Sequence, residues 1–353
     1  MKKILVINPG ATSTKFGVFN GEKLIFEETV QHFAHDLGHF ERIVDQLQYR
    51  LDLIIQVMIN ANIALTALDC VVARGGLLKP LTGGTYIVNG DMLTDLREAK
   101  RGEHASNLGA LLVDILAKQL NIPAYIVDPV SVDELEPEAR ISGLPELSRN
   151  SMVHALNSKA VARKVAANMG KKYEDINLVV AHLGTGISVT PHIKGRMIDV
   201  NNALEEGPFS PDRCGGLPAR SLVKLCYSGK YNEQEMLKKL SGSGGLFAYL
   251  GTKDLREAEK MASEGNEKAE LVLKAMAYQV AKEIGAMATV LSGVVDSVVL
   301  TGGIAYSEKI VQIITDKVKY IAPVMVFPGE EELESLAAGA LRVLRGEEQP
   351  QVY

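Results

Sequence analysis

The residues 8–14, Asn8-Pro9-Gly10-Ala11-Thr12-Ser13-Thr14, lie between the apolar run 4–7 and a second run at 15–19 that Lys15 opens. A turn rich in Gly, Ser and Thr offers backbone N–H groups and hydroxyls to phosphate oxygens, which makes Asn8, Thr12, Ser13 and Lys15 candidate phosphate contacts. The turn is not a Walker loop, because its glycine and lysine spacing is wrong and a strand follows where a helix would be needed. An ordinary tight hairpin uses the same residue types, so this turn alone decides nothing. Half a chain later a second polar turn, His182-Leu183-Gly184-Thr185-Gly186, separates two further β-branched runs. Two such hairpins facing each other can hold both ends of a triphosphate, with His182, Gly184, Thr185 and Gly186 as contacts. A third glycine site, Gly302-Gly303 directly after the apolar run 297–300, lets a nucleotide approach the backbone closely, although a Gly-Gly pair taken singly is only a turn signal.

Phosphoryl transfer needs positive charge where the equatorial oxygens gather charge, and a magnesium ion to neutralise the rest. Arg74, beside Gly75-Gly76, and Arg213, in Asp212-Arg213-Cys214-Gly215-Gly216, are the candidate cations. Their plainer reading is a surface ion pair. Asp128 and Glu332 are the candidate magnesium ligands, since hard oxygen donors suit that ion, and solvated loop carboxylates are the alternative. His154, early in a predicted helix, and His182, at a strand end, can both reach a phosphate. His32, His35 and His39 sit close together but have no cysteine partner, and read as solvated side chains.

The elements that must position these groups repeat. Strand, polar turn, strand occurs at residues 4–19 and again at 178–189, with a further strand at 196–199. After each hairpin come amphipathic helices and short buried strands, the pattern of an α/β domain. Helical spacing covers 40–59, 105–120, 151–169, 267–291 and 333–344; strands are read at 70–73, 124–127 and 297–300. At 353 residues the chain predicts two domains sharing a cleft. The expected boundaries are 1–150 and 151–332, with the helix 151–169 as a bridge and the stretch 333–353 returning to the first domain.

Composition narrows the function. Hydrophobic residues at 46% and charged residues at 23% are the balance of a folded globular chain. The net charge of -5, with Lys and Arg scattered, excludes a basic nucleic-acid footprint. The early Asn8-Pro9-Gly10 breaks what would be a signal-peptide core, no apolar stretch is long enough for a bilayer, and three irregularly spaced cysteines (Cys70, Cys214, Cys226) fit a reducing compartment. The expectation is a cytoplasmic chain with no nucleic-acid or membrane partner.

The blocks 6–15, Arg74-Gly75-Gly76-Leu77-Leu78, Gly102-Glu103-His104-Ala105-Ser106-Asn107, Val127-Asp128-Pro129-Val130 and Asp199-Val200-Asn201-Asn202-Ala203 together resemble the butyrate kinases of the acetate kinase family, from the first strand to the last helix. That resemblance implies a two-domain actin-like ATPase (ribonuclease H-like) fold, duplicated around a central cleft, in which ATP and Mg2+ meet a short carboxylic acid. It places Asn8 through Lys15 near the transferred phosphate, and Arg74 and Arg213 on the carboxylate and the transferring group. It gives Asp128 to magnesium or to orientation of the nucleophile, His154 and His182 to phosphate, and Gly302 and Gly303 to the adenosine. It also implies a homo-oligomer. Thr185 stands where the family more often has glycine and Cys214 where it more often has serine, and the magnesium glutamate is Glu330, Glu331 or Glu332. The implied reaction is reversible transfer of the γ-phosphoryl group to give an acyl phosphate. A sugar or hydroxyl kinase, or an actin-like or chaperone-like ATPase, are the alternatives on the same fold.

Overall fold

The computed structural model describes residues 1–353. Its strands in chain order are β1 (Lys3–Pro9), β2 (Ser13–Asn20), β3 (Lys23–Gln31), β4 (Cys70–Arg74), β5 (Thr85–Ile87), β6 (Ala124–Val127), β7 (Leu178–Leu183), β8 (Ile187–Ile193), β9 (Arg196–Met197), β10 (Ser297–Gly302), β11 (Val324–Pro328) and β12 (Gln351–Val352). They belong to two compact units, Met1–Val132 with Glu331–Tyr353, and Asp133–Glu330.

In the first unit the sheet order is β12-β5-β6-β4-β1-β2-β3. Strand β1 is antiparallel to β2 and parallel to β4, and β4 is parallel to β6. Central β1 and β4 read as continuous apolar runs because helices cover both faces of the sheet where they pair in parallel, and their residues are buried accordingly. Edge strand β3 (KLIFEETVQ) carries its charges into solvent, a composition that discourages pairing with another chain. One face packs on the Asn107–Leu120 helix through Leu5, Ile7, Val71, Ala73 and Ile126. The Glu332–Leu344 helix takes the other face, where Leu333 meets Gly17 and Gly339 meets Val127. Gly109 brings the first helix against β4: a Cβ there would stand 2.3 Å from the Arg74 carbonyl oxygen.

In the second unit the order is β11-β10-β7-β8-β9, with β7 antiparallel to β8, β7 parallel to β10, and β10 parallel to β11. Order and directions repeat those of β6-β4-β1-β2-β3, so the repeat visible in the sequence is a duplicated ribonuclease H-like domain. The 24-residue helix Glu267–Val290 buries Leu273, Met276, Val280 and Ile284 against one face. The Ala155–Asn168 helix covers Leu178, Val180 and Val299 on the other.

Several expected boundaries move. The helix read at 151–169 begins at Ala155 and lies within the second unit. The division falls between Val132 and Asp133 instead of at 150. The cause is polar anchoring of residues 133–150. Buried Glu134 pairs with buried Lys159 at 2.9 Å and accepts the Met197 N–H at 2.7 Å, and Arg149 reaches Asp199 at 3.0 Å and the Val200 carbonyl at 2.7 Å. The helix read at 40–59 is a 3-10 turn, Ile43–Gln46, followed by Leu47–Asn60. No helix is long and apolar enough to cross a membrane.

Gly109→Ala is expected to destabilise the protein by about 1–3 kcal/mol, because the new methyl must displace the β4 backbone. Urea unfolding would show a lower midpoint at an unchanged m-value, and an unshifted midpoint would contradict the packing described.

Candidate active site

Strand pairing brings three polar side chains together in the first unit. Ile7 and Ala73 are partners on parallel strands, so Asn8 and Arg74 follow them side by side at the strands' carboxyl ends. Glu332, the first residue of the Glu332–Leu344 helix, accepts hydrogen bonds from both: Arg74 Nη1 donates to Oε1 at 2.7 Å, and Asn8 Nδ2 donates to Oε2. A carboxylate in a helix's first turn is favoured by the unpaired N–H groups there. Asp128 follows β6, is 3% exposed, and adopts φ +38, a conformation that non-glycine residues rarely take and that tends to gather at functional sites. Its Oδ1 accepts the Gly84 N–H at 2.7 Å, and its own N–H donates to the Gly84 carbonyl at 3.0 Å.

The segment carrying Gly84 is strapped from outside. Gln351 Nε2 donates to the Gly83 carbonyl at 2.9 Å, and the Thr85 N–H donates to Glu348 at 2.6 Å. His104, which its residue type and spacing did not single out, bonds Ser106 Oγ at 2.7 Å; burial first, and then the Arg74 charge, lower its pKa.

The 10–13 turn stands on a buried cluster. Gly10 N–H closes the turn on the Ser13 carbonyl at 2.8 Å, while Ala11 and Thr12 are exposed at its tip. Beneath it lies Arg50, 1% exposed, whose guanidinium donates to turn carbonyls and to Thr14 Oγ1 at 3.0 Å. His32 Nε2 shares that hydroxyl at 2.8 Å. Lys15 does not join this cluster; it pairs with Glu27 on β3 at 2.9 Å. Arg50 left one trace in the sequence, a charge on the apolar stripe of its helix at 47, 51 and 54.

In the second unit His182 is the last residue but one of β7, with its imidazole 1% exposed. Nδ1 bonds Asn157 Oδ1 at 2.7 Å, fixing the ring, and Nε2 makes no hydrogen bond and lies 3.4 Å from Oε1 of Glu330. His154, the residue preceding the Ala155–Asn168 helix, stacks on His182 with ring centroids 3.9 Å apart and bonds Ser188 Oγ at 2.9 Å.

The glycines here are steric requirements. A Cβ on Gly184 would stand 2.9 Å from His182 Nε2, one on Gly186 2.2 Å from an Arg213 guanidinium nitrogen, and one on Gly302, at φ +88, 2.5 Å from the Leu183 carbonyl oxygen. Arg213 Nη1 donates to the Ala203 carbonyl at 3.2 Å, and burial lowers its pKa despite the nearby Asp212. Thr185 is exposed, its carbonyl accepting from Ser210 Oγ. Gly184, Thr185, Gly303, Tyr306 and Glu330, with Lys253 and Arg256, line a cavity of ≈ 880 Å³, a size that accommodates a nucleotide. Thus His182, Gly184, Thr185, Gly186, Gly302 and Arg213 are neighbours, as are Asn8, Arg74 and Glu332. Asn157 and Ser188 complete the histidine pair and carried no signal of their own.

The acetokinase family model matches residues 147–327. Butyrate kinase 1 of Clostridium acetobutylicum is 52% identical over 354 aligned positions, covering 100% of both chains. This chain belongs to the acetokinase family. As a member it is a carboxylate kinase, and the expected enzyme class stands. Solved structures agree on the fold. An acetate kinase of Porphyromonas gingivalis superposes with TM-score 0.81 at 17% identity, covering 98% of this chain and 100% of its own. A propionate kinase of Francisella tularensis gives 0.76 at 19%, covering 96% and 98%. The two-domain actin-like architecture expected from the resemblance is therefore the observed one.

Burial first, and then the Arg50 charge, push the His32 imidazole down to about 4. The folded protein keeps this ring neutral while the unfolded chain protonates it near its ordinary value of about 6.5. Its contribution to stability is therefore complete above that value and is lost as the pH falls from about 6.5 toward 4. Thermal melts between those limits should fall more steeply for the wild type than for His32→Gln. Parallel slopes would show that His32 does not titrate this way.

Proposed function

We propose that this protein transfers the γ-phosphoryl group of ATP reversibly to butyrate or a branched relative of similar size, forming the acyl phosphate and ADP. The observation that carries the acyl preference is the full-length likeness, at 52% identity, to a butyrate kinase. The carboxylate oxygen is already ionised near neutral pH and needs no general base, so catalysis rests on positioning and charge stabilisation.

Arg74 and Arg213 carry the cationic roles, on the carboxylate and on the transferring group. Arg213 is suited to this because its half-buried guanidinium meets the 184–186 turn at Gly186. His182 contacts phosphate in this reading: its Nδ1–H donates to Asn157 Oδ1, which leaves Nε2 unbonded above Gly184. His154 supports it by stacking. Gly302 and Gly303 lie by the adenosine, with Thr185 and Gly184 toward its phosphates, and Asn8, Thr12, Ser13 and Lys15 serve the transferred phosphate.

Asp128 and Glu332 are hard oxygen donors in one unit and fit magnesium, which takes one or two carboxylates and completes its shell with phosphate oxygens and water. Bound there, Mg2+ supplies neutralising charge to the phosphates. Asp128 is held by Gly84, and Glu332 by Arg74 and Asn8. The three thiols are free, which suits the cytoplasm. The amphipathic helix Ala219–Cys226 buries no residue and leaves Val223, Leu225 and neighbouring Tyr227 exposed, which supports assembly with a second copy.

Hydroxamate trapping with Mg-ATP and a series from acetate to valerate, including isobutyrate, should give a product peaking at butyrate or a branched acid. Arg74→Ala and Arg213→Ala should each lower kcat/KM by about 100-fold or more while the melting temperature stays close to wild type. ATP hydrolysis without trapped product would instead favour an ATPase whose output is conformational.

A further inference from the structure

Arg50 is a buried cation that pairs with no carboxylate. Its guanidinium donates to five neutral acceptors: the carbonyls of Gly10 (2.8 Å), Ser13 (3.2 Å) and Ala11 (3.3 Å), Thr14 Oγ1 (3.0 Å) and Gln46 Oε1 (2.8 and 3.1 Å). The titratable groups around this cluster are His32, Tyr49 and Asp36. His32 is held neutral, Tyr49 is a phenol, and Asp36 contacts His35. Hydrogen bonds of this number satisfy the donors and leave the net charge. A buried charge without an opposite partner is costly, and a fold that retains one places its field somewhere.

The place is the turn directly above. By drawing the Gly10, Ala11 and Ser13 carbonyls inward onto the guanidinium, Arg50 orients their negative ends away from the solvent side. The exposed tip at Ala11 and Thr12 then presents N–H groups that bond no acceptor in the protein. Turn amides oriented in this way form an anion-binding concavity.

We propose that Arg50 is a positioning residue for phosphoryl transfer: a buried, unpaired cation under the 10–13 turn whose counter-ion is the terminal phosphoryl group of the nucleoside triphosphate. The inference rests on the kinase reading above, and it adds a residue that touches neither nucleotide nor carboxylate. It acts through the turn, by fixing the carbonyls and by the sign of its field. Burial lowers the guanidinium pKa to about 10, which leaves it charged at neutral pH.

The decisive variant is Gln46→Glu, which supplies the missing carboxylate at the atom already bonded to the guanidinium. It should melt at or above the wild-type temperature, because it pairs a buried charge. At the same time it should bind MgATP about tenfold more weakly, with MgADP affinity unchanged, because the terminal phosphoryl loses its cation. Arg50→Gln should show the same ATP-selective loss with a lower melting temperature. A merely structural role cannot yield a more stable protein that has lost only ATP affinity. A folded Gln46→Glu with wild-type affinity for both nucleotides overturns the proposal. In the wild type itself, hydrogen exchange of the 9–15 segment should slow with MgATP and not with MgADP; equal protection by the two, or none, also overturns it. If the wild type shows this ATP-selective protection but makes no trapped acyl phosphate, the kinase reading fails and the role of Arg50 stands.

Discussion

The carboxylate of Glu332 is the point on which the geometry of the first unit depends. It is bonded by Asn8 at the end of the first strand and by Arg74 at the end of β4, residues 324 and 258 positions away. The Arg74–Glu332 pair is partly exposed, so its contribution to stability is modest. What it supplies is direction: a bond at a fixed angle on each oxygen holds two strand ends and a helix start in one arrangement. The close approach at Gly109, beneath the Arg74 carbonyl, works to the same end from the opposite face of the sheet. Polar side chains can converge here because parallel neighbours in a twisted sheet end together, and the chain beyond a strand's carboxyl end is free to be loop.

The second unit meets the same problem with the same topology and different chemistry. Where the first unit ties its strand ends with a carboxylate, the second uses aromatic stacking and amides. The His154–His182 stack is anchored by Asn157 and Ser188, and Gly184, Gly186 and Gly302 allow an imidazole, a guanidinium and a carbonyl to crowd one turn. Duplication kept the strand order and let the side chains at each hairpin diverge. One turn rests on a buried arginine and the other encloses a histidine.

The sequence was informative where local chemistry and local geometry coincide. Both polar turns, the strand pairs flanking them, the long helix at 267–290 and the partnership of Arg74 with glycine-rich neighbours can be read from residue types and spacing alone. Residues whose role comes from distant partners were harder. Asn157 matters because His182 lies against it, and Glu348 because Thr85 reaches it from 263 positions away. The start of the second unit was misplaced for a related reason: residues 133–150 lack regular periodicity, and it is Lys159, Asp199 and Glu206 that decide where they belong. Lys15 reads as a phosphate contact from its place at the end of the turn; that it also pairs with Glu27 depends on the register of β2 against β3, which no local pattern reveals.

The way the chain is divided has a consequence for its birth on the ribosome. The second unit is one continuous stretch, Asp133–Glu330, and can close on itself as soon as it has emerged. The first unit begins emerging earlier but needs Glu331–Tyr353, so its sheet must wait with one face uncovered while the whole of its neighbour is made. Emergence order and completion order are thus inverted: the earliest strands are the last to be buried. For that interval the face of β1, β4 and β6 that the Glu332–Leu344 helix covers stays open.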